Sequence, residues 1–288
     1  MPTRNRVHFL TRAVESVKLQ THTNWELIII NDASDDETNT ALSALATADS
    51  RIRFLTLATN SGGGIARNVG LKQVQGDYIA FLDDDDSWNP TKLERQVSVL
   101  QENPDISIVS CSFIRVRERS KKVICNPGVY SLEDLKLGNI FGSFSFCMVR
   151  QSDITGLEIS PELRSCQDWD LWYKIIQRTG KLGVVTEDIL ASYDRVIKAS
   201  ISFSRRPALS SRVAFLRGHW QELSRGQKLY HLLDLRYRRT FISKRNPSFL
   251  SILRELTSFK NIRNTLSAAG FKRTFSLYAH FLRRSLLP

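Results

Sequence analysis

Over its first 113 residues the chain alternates between two hydrophobic periods, and that alternation leaves few folds open. Residues 6–21 set Leu10, Val14 and Val17 on one helical face. Residues 25–30 are a short apolar run, the mark of a strand buried on both sides. A helical pattern follows at 36–47 with Leu42 and Leu45, then a strand at 52–57. Residues 64–74 place Ile65, Val69 and Leu71 on a helix, and 78–82 is again a strand. A helix with Pro90 in its first turn covers 90–101, and 106–113 is a strand. Repeated strand–helix units imply right-handed crossovers and a parallel sheet covered on both faces. In such sheets ligands bind beyond the carboxyl ends of the strands, so polar clusters directly after strands are the candidate sites.

The sharpest such cluster is Asp83-Asp84-Asp85-Asp86, directly after the strand at 78–82. Adjacent carboxylates raise one another's pKa and repel, at about 1 kcal/mol per neighbour even in high dielectric. A hard divalent cation, Mg²⁺ or Mn²⁺, relieves that repulsion through oxygen ligands. The competing reading is a solvated acidic turn that caps the helix at Pro90, but a turn has no need of four acids against a buried strand.

Three further clusters follow the same logic. Asp32 ends the strand at 25–30 and suits a ligand N–H, whereas Asp35 reads as the N-cap of the helix at Asp36. Residues 60–70, with Gly62, Gly63 and Gly64, open a helix whose free N–H groups and dipole favour anions. The stretch lacks the Gly-Lys-Ser/Thr ending of a P-loop and the spacing of a dinucleotide fingerprint. Asp168, flanked by Trp169 and Trp172 at a helix start, reads as a general base whose pKa an apolar wall would raise. The alternative is a capping Asp168 with both indoles in the core.

Charge divides the chain. Residues 205–288 hold 18 Lys and Arg against 3 Asp and Glu, while residues 1–204 hold 23 against 26. A near-neutral body at 1–204 is thus followed by a basic, α-helical region at 205–288, which calls for an anionic partner. Phe249, Ile252, Leu253 and Leu256 recur at helical spacing, as do Phe271, Phe275, Tyr278, Phe281 and Leu282, beside basic residues. Basic amphipathic helices suit an anionic membrane surface. The bland alternative is packing on the body or on another subunit. Nucleic acid is disfavoured because no binding motif for it accompanies the charge. Cys111, Cys125, Cys147 and Cys166 show no paired spacing and read as reduced thiols. The first residues carry no apolar signal segment, and no apolar run reaches the roughly 18 residues of a membrane span. The expected location is cytoplasmic, on the inner face of the membrane.

In combination and order, these motifs resemble the family 2 glycosyltransferases of the inverting GT-A type. The pieces are Pro2-Thr3-Arg4-Asn5-Arg6, Asn31-Asp32-Ala33-Ser34, residues 60–70, residues 81–88, and Gln167-Asp168-Trp169-Asp170-Leu171-Trp172, within residues 2–203. The resemblance implies an α/β, Rossmann-like, mostly parallel sheet with helices on both faces. It implies a nucleotide-sugar donor and a glycan or lipid-linked acceptor. Asp32 would contact the nucleotide base, and Arg67 would lie near the base or the phosphates. Asp83, Asp84 and Asp85 overlay the DxD-type element, with Asp84 near ribose or metal and Asp85 the main ligand of Mg²⁺ or Mn²⁺. Asp168 would be the catalytic base, and Trp169 and Trp172 would shape the acceptor side.

Three departures from the family pattern stand out. The family has an apolar central strand before the Pro-Thr segment, so the expectation is a start upstream of Met1, or a truncated product, and a gap in the middle of the sheet. Arg4 stands where the family often has a Tyr that stacks on the base; its guanidinium can stack too. Val196 or Ile197 stands where a His near the metal is common. The main alternative is a GT-A-like binding protein that has lost catalysis and docks on membrane or nucleic acid through its basic region. A sugar nucleotidyltransferase would want a glycine-rich loop with a basic residue near the chain start, and none is present.

Overall fold

The computed structural model describes residues 1–117, 120–194 and 205–243. The chain divides into two compact units, Met1–Phe203 and Ser204–Pro288. The first unit begins β1 (Pro2–Thr3), α1 (Val7–Lys18), β2 (Leu27–Asn31), α2 (Thr38–Ala48), β3 (Ile52–Thr56) and α3 (Gly63–Leu71). It continues with β4 (Tyr78–Ala80), β5 (Ser87–Trp88), α4 (Lys92–Glu102), β6 (Ile106–Arg117), β7 (Ser120–Ile124) and β8 (Gly128–Tyr130). After α5 (Leu132–Leu135) and a 3-10 turn at Phe144–Phe146 come β9 (Met148–Arg150), α6 (Gln151–Ile154), α7 (Gln167–Thr179) and β10 (Leu182–Asp194).

Local sequence explains the elements that carry the site. In α1, Leu10, Ala13, Val14 and Val17 recur at helical spacing, and all are buried. In β2, Leu27, Ile29 and Ile30 are buried, as a parallel strand covered on both faces requires. In α7 the stripe Trp169, Trp172, Tyr173 and Ile176 is buried. That helix stops at Gly180, whose φ of 67° lies in the left-handed region that glycine adopts without strain.

The fold is α/β, with a mostly parallel central sheet flanked by helices. β1, β2 and β3 pair in parallel. The long strands β6 and β10 also pair in parallel. β9 is inserted antiparallel between β4 and β6, so β4 and β6 point the same way. β5, β7 and β8 add antiparallel edges.

Among the described residues the ladder is interrupted between the β1–β2–β3 group and the group that starts with β4. β1 pairs with β2 only at Pro2–Ile30 and Thr3–Asn31. Beside it lies a cavity of about 570 Å³ lined by Val17, Leu27, Ile28, Leu71, Ile79 and Val97. The two strand groups share no ladder here, and this partly open cleft lies between them. The Met1 amine reaches this region and donates to the Ile28 carbonyl at 2.9 Å. Burial pulls its pKa down to about 5.

The second unit contains α8 (Arg205–His219) and α9 (Arg225–Ser243), joined through a 3-10 turn at Trp220–Glu222. Phe215, Leu216 and Leu223 are buried there, and Arg212 pairs with the buried Asp234 at 2.9 Å. The amphipathic patterns at 249–256 and 271–282, like Val196 and Ile197, lie outside the described residues. No helix among the described residues is long and apolar enough to cross a membrane. All four cysteines are free thiols.

Candidate active site

The candidate residues gather at the carboxyl ends of β2 and β4 and at the start of α7. Asp32 follows β2 and is 5% exposed. Its two carboxylate oxygens accept the backbone N–H groups of Ser61 at 2.6 Å and Gly62 at 2.8 Å. It therefore anchors the loop that opens α3. Gly62, at φ 86°, makes the turn into that helix. Asp35 is not the N-cap that the sequence predicts. The helix starts two residues later, at Thr38, and Asp36 accepts the Thr38 N–H at 2.9 Å. Asp35 instead accepts the Asn5 side-chain amide at 2.5 Å. Arg4 is exposed at the same rim.

The four aspartates diverge. Asp83 pairs with Arg67, whose guanidinium lies 4.2 Å from the Phe144 ring centroid and 3.5 Å from Gln167 Oε1. Asp84 is 5% exposed and accepts the Thr3 hydroxyl at 2.8 Å and Arg6 Nη1 at 3.2 Å. Asp85 meets the same Arg6 nitrogen at 3.2 Å. Burial, then Asp83 and Asp84, push the Asp85 carboxyl up to about 6 against the pull of Arg6. Burial also raises Asp84. Asp86 is fully buried.

Oxygens of Asp83, Asp85 and Asp86 lie within 4.8 Å of one another. These are hard donors at a spacing one Mg²⁺ or Mn²⁺ ion can bridge. The residues fit such an ion. Asp84, expected near ribose or metal, directs its oxygens to Thr3 and Arg6.

Asp168 sits in the first turn of α7, after Cys166 in the left-handed region at φ 63°. Burial pushes its pKa up to about 6; the Trp169 N–H at 2.8 Å opposes this, Asp83 adds to it and Arg67 opposes it. Asp168, Arg67 and Asp83 thus share one electrostatic neighbourhood. Trp169 and Trp172 are 1% and 0% exposed, with indole N–H groups bonded to the carbonyls of Leu135 and Gly142. Both rings are core residues that back the wall carrying Asp168. The sequence reading missed Arg6, Thr3 and Gln167. Arg6 stood inside a quoted motif, but nothing local to it says which acids it would reach across about 80 positions.

Comparison with known proteins decides the family. The family model described as "Glycosyl transferase family 2" matches residues 1–154. The putative teichuronic acid biosynthesis glycosyltransferase TuaG of Bacillus subtilis is 32% identical over 212 residues, 71% of this chain and 80% of that protein. The chain belongs to glycosyltransferase family 2. This glycosyltransferase is also 30% identical over 218 residues to WfgD of Escherichia coli, covering 71% of the chain and 79% of WfgD. WfgD is described as a UDP-Glc:alpha-D-GlcNAc-diphosphoundecaprenol beta-1,3-glucosyltransferase. Other relatives are longer; the chain spans 31% of an uncharacterized Rickettsia felis glycosyltransferase. The fold matches Staphylococcus aureus TarS 1-349 with UDP-GlcNAc at a TM-score of 0.61 and 20% identity, over 82% of this chain and 70% of that one. It matches the mannosyltransferase PcManGT of Pyrobaculum calidifontis, solved with GDP-Man and Mn²⁺, at 0.64 and 14% identity, over 98% and 78%.

Proposed function

We propose that the protein is an inverting glycosyltransferase of cell-surface polysaccharide synthesis. It moves a sugar from a nucleoside-diphosphate donor to a glycan or lipid-linked acceptor. The observation that carries this reading is the shared neighbourhood of Asp168, Arg67 and the acidic end of β4, which sets a raised carboxylate beside a cation-binding cluster. The names of TuaG and WfgD support the polysaccharide context and the diphosphate-lipid acceptor.

Asp168 accepts the proton of the acceptor hydroxyl as that oxygen attacks the anomeric carbon. The bond from carbon to the donor diphosphate breaks on the opposite face, and the configuration inverts. Asp83, Asp85 and Asp86 would hold Mg²⁺ or Mn²⁺, which when bound neutralises charge on the leaving diphosphate. Arg67 supplies a fixed positive charge beside Asp83, and the loop held by Asp32 together with Arg4 frames the nucleotide side. The basic region at 205–288 keeps the enzyme on the anionic inner membrane face, where a lipid-linked acceptor would be presented.

The test is release of nucleoside diphosphate from a panel of UDP- and GDP-sugars, with and without Mn²⁺. Turnover that needs the metal and is lost in Asp85→Ala and Asp168→Asn is the expected result. Turnover in neither metal condition for any donor would instead favour a GT-A-like binding protein.

A further inference from the structure

The loop between β1 and α1 lies across the acidic end of β4. Arg6 Nη1 stands 3.2 Å from Asp84 Oδ1 and 3.2 Å from Asp85 Oδ2. Arg12 Nη2 donates to the Asp85 carbonyl oxygen at 2.5 Å. A positive group of the protein therefore already engages Asp85, one of the three residues that could hold a cation.

We propose that Arg6 is a tethered counter-ion, a positioning residue that holds the acidic strand end in the metal-free protein and yields Asp85 when a divalent cation binds. The inference rests on the reading of Asp83, Asp85 and Asp86 as metal ligands. A guanidinium carries only donors and stays charged, so it cannot relieve the conflict by losing a proton. Two cations drawing on the Asp85 carboxylate repel, which favours release of Arg6. Arg6 has room to do so, because its side chain is 28% exposed. Arg67 is held differently: it is 12% exposed, paired with Asp83 and packed on Phe144. Cation binding is accordingly weakened by the free energy needed to break the Arg6 contact.

Mn²⁺ binding by calorimetry at pH 7.5 tests this on the full chain, alone and with UDP or GDP. Arg6→Met is expected to bind Mn²⁺ about three- to tenfold more tightly than wild type, the scale of a partly exposed ion pair. Arg6→Lys, which keeps the charge without the planar fork, falls between. Without metal, Arg6→Met melts below wild type, and its gain on adding Mn²⁺ is the larger one. Equal or weaker Mn²⁺ affinity in Arg6→Met overturns the proposal and leaves the metal site standing. No Mn²⁺ binding by either protein overturns the metal reading and the proposal with it. If the variants do not fold, the Arg6 guanidinium ¹⁵N resonance of wild type is followed through a Mg²⁺ titration. It must change as the site saturates, and an unchanged signal refutes displacement.

Discussion

Asp168 sets a definite pH expectation. Its carboxyl is pushed up to about 6 in the folded protein, chiefly by burial. A general base must be ionised, so with metal saturating, kcat/KM should fall about tenfold per pH unit below pH 6 and level off above it. Asp168→Asn should lose about 10²- to 10⁴-fold in kcat, the usual worth of a positioned base. The stability sign is opposite. The unfolded carboxyl titrates near 3.8, so between 3.8 and 6 the folded state holds the extra proton, and stability falls as pH rises through that window. At pH 7.5 the neutral Asp168→Asn should therefore be more stable by about 1–2 kcal/mol, after allowance for the solvent that still reaches the side chain. That advantage should vanish toward pH 4. Chemical denaturation at the two pH values checks it.

Lys92 is another buried charge, and it has no part in the proposed chemistry. It is fully buried in α4, with Nζ 2.6 Å from Gln96 Oε1 and 4.3 Å from the Trp88 ring centroid. Burial pulls its pKa down to about 8. Between 8 and 10.5 the unfolded chain binds the extra proton, so this group adds stability as pH rises through that window. Measured against Lys92→Met, wild type should gain thermal stability between pH 7.5 and 9.5. A constant difference would mean that Lys92 titrates normally.

Among the elements, those long enough to show a period were readable from the sequence. The patterns at 6–21, 36–47 and 90–101 became α1, α2 and α4 with ends displaced by a few residues, as fraying termini allow. β9 was not readable, because its three residues run straight into α6 and only its pairing with β4 and β6 defines it. β10, whose register slips near Thr186–Ile189, was missed for a related reason: its irregularity blurs the alternation. Site residues divide in the same way. Asp83–Asp86 and Asp168 announce themselves by type and position, whereas Arg6 matters through contacts some 80 positions away. Asp32 shows how one residue organises an element. Its carboxylate satisfies two backbone N–H groups at the start of α3, and hydrogen bonds to a charged acceptor contribute about 1.5–3 kcal/mol each. Asp32→Ala should lower the unfolding free energy by about 2–3 kcal/mol, and Asp32→Asn, with one acceptor left, by about half of that. If Asp32→Ala melted like wild type, the anchoring role would be wrong.

For the whole molecule, the division of charge matters more than its total. A net charge of +12 spread evenly would give weak attraction to any anionic surface. Here the first 204 residues are slightly acidic, and the remaining 84 carry 18 basic groups against 3 acidic ones. Each basic side chain near an anionic bilayer contributes about 1 kcal/mol, and the attraction decays within a Debye length of about 10 Å at 0.1 M salt. Under the proposed function such a surface brings the enzyme to the interface that presents a lipid-linked acceptor. The full chain should cosediment with vesicles containing phosphatidylglycerol at 0.1 M NaCl and not with pure phosphatidylcholine. Raising NaCl to 0.5 M should release most of it if charge dominates; retention at high salt would assign the affinity to apolar insertion. Failure to bind anionic vesicles at low salt would remove the membrane role and leave the basic region as a packing or subunit surface.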